Sequence, residues 1–484
     1  MVTKSNRYFA ALADGSNAVV HVGKDGVELE IDREHEHPRE VFEGRPMPER
    51  LSVRLDGKKV VTLTGLYRTR RSSSFVAAHE KYEANLSFVG PDEFIDGPIV
   101  KSLTFRPSNE ILAVMYKGHR ISRYVGADTV PLSDVKDAPR GGTRYLVDVI
   151  DHERCQAFAA NADRLSVSGH VIVSTNSTVQ GQTTHEERQV KVTYAAPVSI
   201  QTGITDMLSL CDFMSLMVGE VISPISVSVV TEGAADRWGF PPHFDVHARW
   251  RPPGKEIDPQ YGRRCLATPM FDAEIYQDAV ASWINRQERW SQSYALATVC
   301  LDNQREVSRR RFLDAAAWFE SIPTFYERPR SKVSREVIRA AATAAGIAFT
   351  DGGAEVTVER VQALLSPVNS ASLAVRIADA LVRARASLGG EMLPDMLDEL
   401  AKMLPRIRGK FAHGEDAFLG DLGHLVHDAT LLFEVLAAAL TLDELDIKIT
   451  LDSIGHPFRT AITELQQFAV DDPMDVSGSG GTNP

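Results

Sequence analysis

Arg408 and His413 stand five residues apart in the segment Leu404-Pro-Arg-Ile-Arg-Gly-Lys-Phe-Ala-His-Gly-Glu415. Arginine offers a fork of permanently charged donors that suits a phosphate. Histidine offers a base that titrates near neutrality. Together they fit RNA cleavage. His413 takes the proton from a ribose 2′-hydroxyl, and Arg408 stabilises the charge that builds on the phosphate. That chemistry requires no metal. On a straight helix a five-residue step turns about 140° at roughly 100° per residue, so the two side chains do not stack. The long arginine arm still reaches the groove that the imidazole lines. The spacing alone is weakly specific, and a surface arginine near a satisfied histidine is the competing reading. Of the 14 histidines, only His413 has an arginine five residues before it.

Other chemistry finds less support. No Gly-rich phosphate loop, Gly-x-Ser-x-Gly elbow or His-Glu-x-x-His helix occurs. His35 and His37 sit in a short acidic stretch that reads as a solvated loop. His243 and His247 flank a strand-like run, where four residues span about 13 Å, too far to share an ion. His424 and His427 share a helix face, but no carboxylate or cysteine partner is evident. No metal site and no cofactor are expected.

Charge around the motif favours RNA. Residues 286 to 339 carry 11 basic and 7 acidic side chains, a local +4 in a chain of net charge −12. Arg309, Arg310 and Arg311 form its densest run, and Arg406 and Lys410 flank the motif. Phosphate contacts dominate RNA affinity, so these are the expected RNA-binding residues. A solvated, salt-bridged helix surface is the alternative. Glu320, on an earlier helix, is positioned to orient Arg408 or His413 from across a bundle, or is a surface glutamate near a helix end.

The elements that must carry these residues fall into two periods. The first half alternates. Val27–Ile31, Leu51–Leu55 and Val60–Thr64 read as strands, the last two joined at Asp56-Gly57 as a hairpin. Further strands are expected at Asn85–Val89, Ser166–Val173, Gln189–Tyr194, Val221–Val230 and Phe244–Trp250. One helix, Ile204–Val218, interrupts them. The second half has helical spacing at Ala273–Val299, Phe312–Ile322, Ser334–Gly346, Thr357–Leu365, Ala371–Leu388, Glu391–Leu404 and Asp421–Leu442. The expected fold is α+β: a β-rich N-terminal domain over 1–255, a linker over 256–270, and an all-α bundle over 271–445. A C-terminal extension over 446–470 and a disordered tail over 471–484 follow.

Composition excludes other classes. Apolar residues at 43% and charged residues at 24% describe a globular chain, not a rod or fibre. The acidic balance argues against a protein that coats nucleic acid over its whole surface. The four cysteines Cys155, Cys211, Cys265 and Cys300 form no CxxC pair. There is no apolar N-terminal stretch and no run of about 18 apolar residues, so a cytoplasmic protein without membrane contact is expected.

The run Arg408-Gly-Lys-Phe-Ala-His413-Gly414, followed by a long apolar helix, resembles the signature of HEPN-domain ribonucleases. Arg311-Phe-Leu-Asp-Ala-Ala-Ala-Trp-Phe-Glu320 looks like an early helix of that domain. The Val60–Leu66 strand and Met207–Val218 helix are similar to the N-terminal domain of ApeA-type anti-phage proteins. The resemblance implies an all-α HEPN bundle that cuts RNA, tRNA included, without metal. By that resemblance Arg408 and His413 are its catalytic pair; Glu320 and Gly409 are supporting candidates read from the residues alone. The resemblance implies a homodimer or larger even assembly whose paired motifs face one cleft, controlled by the N-terminal domain and released by a phage-derived trigger. Gly409 departs from the family pattern, which usually has a polar residue after the arginine. The rival expectation is a non-catalytic RNA- or protein-binding module with a decayed site. A third is a β-rich half that binds carbohydrate or another ligand.

Overall fold

The computed structural model describes residues 6–12, 16–23, 26–34, 49–55, 59–73, 77–108, 120–125, 145–150, 158–178, 181–236, 238–252, 265–267, 273–302, 307–323, 333–354, 356–365, 372–389, 392–412, 425–450, 453 and 455–471. Contacts divide the chain into two compact units, Met1–Asn285 and Arg286–Pro484. The fold is mixed α+β, with a β-rich N-terminal part and helices after it.

The first unit is built on strands β1 (Asn6–Ala11), β2 (Asn17–Gly23), β3 (Gly26–Glu34), β4 (Arg50–Arg54), β5 (Val60–Ser73), β6 (Ala77–Gly90), β7 (Val100–Pro107), β8 (Arg120–Val125), β9 (Tyr145–Ile150), β10 (Ala159–Asn161), β11 (Leu165–Thr178) and β12 (Gly181–Val198). Helix α1 (Ile200–Val218) follows, then β13 (Pro224–Thr231), β14 (His243–Ala248) and helix α2 (Ala273–Asp302). Twelve strands form one antiparallel sheet in the order β1-β2-β3-β6-β14-β13-β7-β12-β11-β10, with β5 also on β6 and β4 on β5. Strands β8 and β9 pair separately.

Strands β1 to β6 curl, and β4 returns against β1. Alternate residues of the curl point inward and make one core, including Val20, Leu29, Ile31, Val53, Leu63 and Tyr82. The expected hairpin is present, with Leu51 opposite Leu63 and the Leu55 amide donating to the Lys59 carbonyl at 2.8 Å. Where β6 passes β14, a Cβ on Gly90 would stand 2.2 Å from the Phe244 ring, so only glycine fits.

Helix α1 lies on β7 and β12. It starts at Ile200, earlier than the expected Ile204, because Ser199 caps it by accepting from the Thr202 amide. Gly219, in the left-handed region at φ 78°, ends it. The first turns of α2 seal α1: the Trp283 indole donates to the Ser209 carbonyl at 3.0 Å, and Phe213 meets Tyr276 and Trp283 edge-on. The unit boundary therefore falls inside a helix, beyond the linker expected at 256–270. Only 265–267 of that stretch is described, and its Leu266 amide donates to the Met217 carbonyl at 2.8 Å. Strand β13 begins at Pro224, three residues after the expected Val221.

The second unit holds α3 (Arg309–Glu320), α4 (Arg335–Asp351), α5 (Val358–Leu365), α6 (Leu373–Leu388), α7 (Leu397–Ala412), α8 (Val426–Asp443) and α9 (Pro457–Asp471). Ser308, Ser334 and Ser372 cap α3, α4 and α6. Helix α8 is buried on almost every side, which its near-continuous apolar run dictates. It packs on α3, α6, α7 and α9, and α4 pairs with α5. Helix α4 passes Gly346 and ends at Asp351. Residues 472–484 of the expected tail lie outside the described residues, as do the expected helix residues 421–424.

Candidate functional site: the end of helix α7

Helix α7 corrects the expected Glu391–Leu404 segment. It begins at Leu397 and continues through Pro405 to Ala412. Its buried face is Leu397, Leu400, Ala401, Leu404, Ile407 and Phe411, a continuous stripe at three- and four-residue steps. Proline removes one backbone donor, and this stripe holds the helix together across that gap. Arg385 fixes the start of α7: its guanidinium donates to the Leu393 and Pro394 carbonyls at 2.9 Å and to Asp398 at 3.0 Å.

Arg406, Arg408, Gly409 and Lys410 thus stand on the last turns of a helix, off its buried face. His413, the expected base, follows directly and lies outside the described residues, as does His424. Arg408 meets Glu320, the last residue of α3, in a two-point pair: Nε to Oε1 is 2.8 Å and Nη2 to Oε2 is 3.4 Å. The arginine side chain is 38% exposed and the glutamate 26%. The helix ends that carry them meet through rings. Phe312 packs on Phe411 at 4.9 Å and on Phe433 at 5.7 Å, and Phe319 packs on Phe433 at 5.5 Å. A Cβ on Gly409 would meet nothing within 4 Å, so space is open beside Arg408.

The basic run separates into three different fates. Arg309 donates to the Phe411 carbonyl at the end of α7 and lies 5.9 Å over the Phe411 ring. Arg310 is exposed and faces Asp314 one turn on at 3.7 Å. Arg311 corrects the expectation that it binds RNA. It is buried, and its Nε and Nη2 each donate to Glu434 at 2.9 Å. At about 100° per residue, three consecutive arginines must point three ways. The third falls on the face of Phe312, Ala315 and Trp318. Burial raises the Glu434 carboxyl above the usual range, against the pull of Arg311. Glu434 escaped the sequence reading, yet a lone acid inside the apolar run 429–442 signals an internal partner.

The Cys300 thiol is buried. Burial pushes the Cys300 thiol well up, and Glu434 and Asp314 add to it. His427 has a carboxylate neighbour after all, Glu464 at 3.1 Å. Among the described residues no group of three or more His, Cys, Asp or Glu is placed to hold a metal ion. Nor, among them, is any helix long and apolar enough to cross a membrane.

The site therefore presents one half-exposed guanidinium, steered by a carboxylate, at a helix end directly before His413. Compared with family models, curated proteins and solved structures, the chain finds no match.

Proposed function

We propose that the helical unit is a metal-independent endoribonuclease of HEPN type, with Arg408 and His413 as its catalytic pair. The observation that carries the reading is the placement of Arg408: partly open to solvent, aimed by Glu320, in the last turns of α7. A partly exposed ion pair is worth about 0–1 kcal/mol. A charge-assisted hydrogen bond to phosphate is worth about 1.5–3 kcal/mol. RNA can therefore displace Glu320 without disturbing the fold. Arg406, Lys410 and Arg310 guide the backbone of the RNA, and Arg309 supports the end of α7. The β-rich unit regulates the cut in an anti-phage setting, as a phage-derived trigger would require. A cleft that needs both a base and an acid favours a dimer or larger even assembly.

The opposite reading is a non-catalytic RNA- or protein-binding module. It is favoured by the same pair, since Glu320 already neutralises the charge that would meet the phosphate. The deciding experiment expresses wild type, Arg408→Ala and His413→Ala at equal protein level, with and without phage, and sequences the 5′ and 3′ ends of total RNA. New ends in wild type alone support cleavage. Equal protection by all three without new ends leaves the binding module.

A further inference from the structure

The tight connection between β13 and β14 puts two rings in water. Trp238 is 70% exposed and Phe240 67%. A fold gains from aromatic rings by burying them, so these two add little to its core. The turn that carries them is nevertheless ordered. Asp236 Oδ1 accepts from the Trp238 amide at 2.8 Å and from the Phe240 amide at 2.9 Å. The Asp236 amide donates to the Phe240 carbonyl at 2.8 Å, and the Gly239 amide donates to the Asp236 carbonyl at 2.9 Å. Gly239 takes φ 84°, in the left-handed region that such a reversal needs. At the base of the connection the Thr231 amide donates to the Pro242 carbonyl at 3.0 Å. Rings on a turn whose own hydrogen bonds are made lose little freedom when a partner closes over them.

The connection between β6 and β7 leaves the sheet at the same end. Thr231 stands opposite Val100, and the Glu232 amide donates to the Ile99 carbonyl at 2.7 Å. In this connection Phe94 turns inward, stacking on Phe88 at 3.8 Å and meeting Phe244 edge-on. Its neighbour Ile95 is 66% exposed. Residues 91–99 and 232–242 carry five acids, Asp92, Glu93, Asp96, Glu232 and Asp236. Their one base is Arg237, which lies outside the described residues. Arg50 lies 3.4 Å from Glu93 and 3.2 Å from Asp96, and Lys101 lies 3.4 Å from Glu232. Acids outnumber bases with all three cations included.

Exposed aromatics on a rigid turn select among occupants. A small molecule needs a concave site, and these rings stand out from a hairpin tip. RNA and anionic lipid bring phosphates, which an acidic rim repels. A polypeptide with Lys or Arg beside apolar residues suits both features. Its apolar parts cover the rings, and its cations meet the carboxylates or lie over a ring face. We propose that this end of the sheet docks a basic segment of a protein partner, with Trp238 and Phe240 as its anchors. Tryptophan is among the residues on which binding energy concentrates. The proposal stands whether or not the helical unit cuts RNA.

The test pans a displayed library of short random peptides on the full chain, then measures a synthesised binder by fluorescence anisotropy. Selected peptides should carry Lys or Arg beside apolar residues, and added salt should weaken their binding. Trp238→Ala and Phe240→Ala should each keep the melting temperature and weaken binding roughly tenfold or more. Either variant serves if the other does not fold. Arg408→Ala, in the other unit, should bind as wild type does. A library without binders, or with only acidic ones, overturns the proposal. So do peptides that a folded variant binds as well as wild type does. Single-stranded RNA or phosphatidylglycerol vesicles that bind wild type and are lost on Trp238→Ala would overturn it too.

Discussion

Glu320 and Arg408 close on each other through two hydrogen bonds, at 2.8 Å and 3.4 Å, across 88 residues of sequence. The pair joins the last residue of α3 to the last turns of α7. It both aims the guanidinium and partly cancels its charge.

Replacing Glu320 by glutamine should therefore free Arg408 for phosphate. Removing an ion pair of about 0.2–1 kcal/mol should tighten RNA binding by roughly 1.5- to 5-fold. Fluorescence anisotropy with a labelled single-stranded RNA measures this. Unchanged or weaker binding by a folded Glu320→Gln protein would show that the carboxylate does not compete with RNA.

The Arg311–Glu434 pair should behave differently, because both partners are buried. Taking away one side, as in Arg311→Met, strands a buried charge and should cost about 3–5 kcal/mol. Arg311→Met combined with Glu434→Leu should recover most of that. Urea unfolding followed by circular dichroism of the singles and the double gives the comparison. A double variant as unstable as the sum of the singles would refute the account.

Gly409 has a helical position, no positive φ and open space around its missing Cβ. Gly409→Ala should stabilise α7 by about 0.5–1 kcal/mol through helix propensity alone. A lower melting temperature for this variant would show that the glycine answers a need that the geometry does not reveal.

Glu80 predicts a pH dependence in the β-rich unit. Burial pushes its carboxyl up, but the Tyr82 hydroxyl, Arg33 and Arg68 outweigh that and hold it below the usual range. A depressed folded value means that the unfolded chain takes up the proton first. The stabilising contribution is complete above the ordinary glutamate value of about 4.3 and fades as pH falls through the lower folded value. Glu80→Gln should lack that part of the acid loss. Thermal unfolding of both proteins from pH 7 to pH 3 should show their stability difference shrinking below about pH 4. A constant difference would contradict the charged state of Glu80.

What the sequence made legible follows the strength of local pattern. The Asp56-Gly57 turn between alternating runs located β4 and β5, and Ser334 located the start of α4. Leu103 and Phe105 alternate as clearly in β7, a central strand absent from the expected set. Pro405 misled, since a proline usually marks a helix end, yet the apolar stripe from Leu397 to Phe411 carries α7 through it. At the site, Glu320 read in the sequence more as a surface glutamate near a helix end than as a partner from across the bundle, and the structure pairs it with Arg408. Arg311 was not legible, because a run of three arginines looks like a solvated face until the partner, 123 residues away, is in place. The β5 register shift that brings Arg68 and Arg71 to Glu80 leaves no mark in composition or period.

The passage of α2 from one unit into the other bears on how this protein can be taken apart. A cut through the proline-rich stretch before residue 260 looks natural in the gene, but it would strip Tyr276 and Trp283 from the strand-bearing fragment. Phe213 and the Ser209 carbonyl of α1 would lose the partners that cover them. The fragment would present fresh apolar surface and invite aggregation. An expressible β-rich piece must carry the chain to at least Asn285, so its natural seam is a helical turn and not a loop.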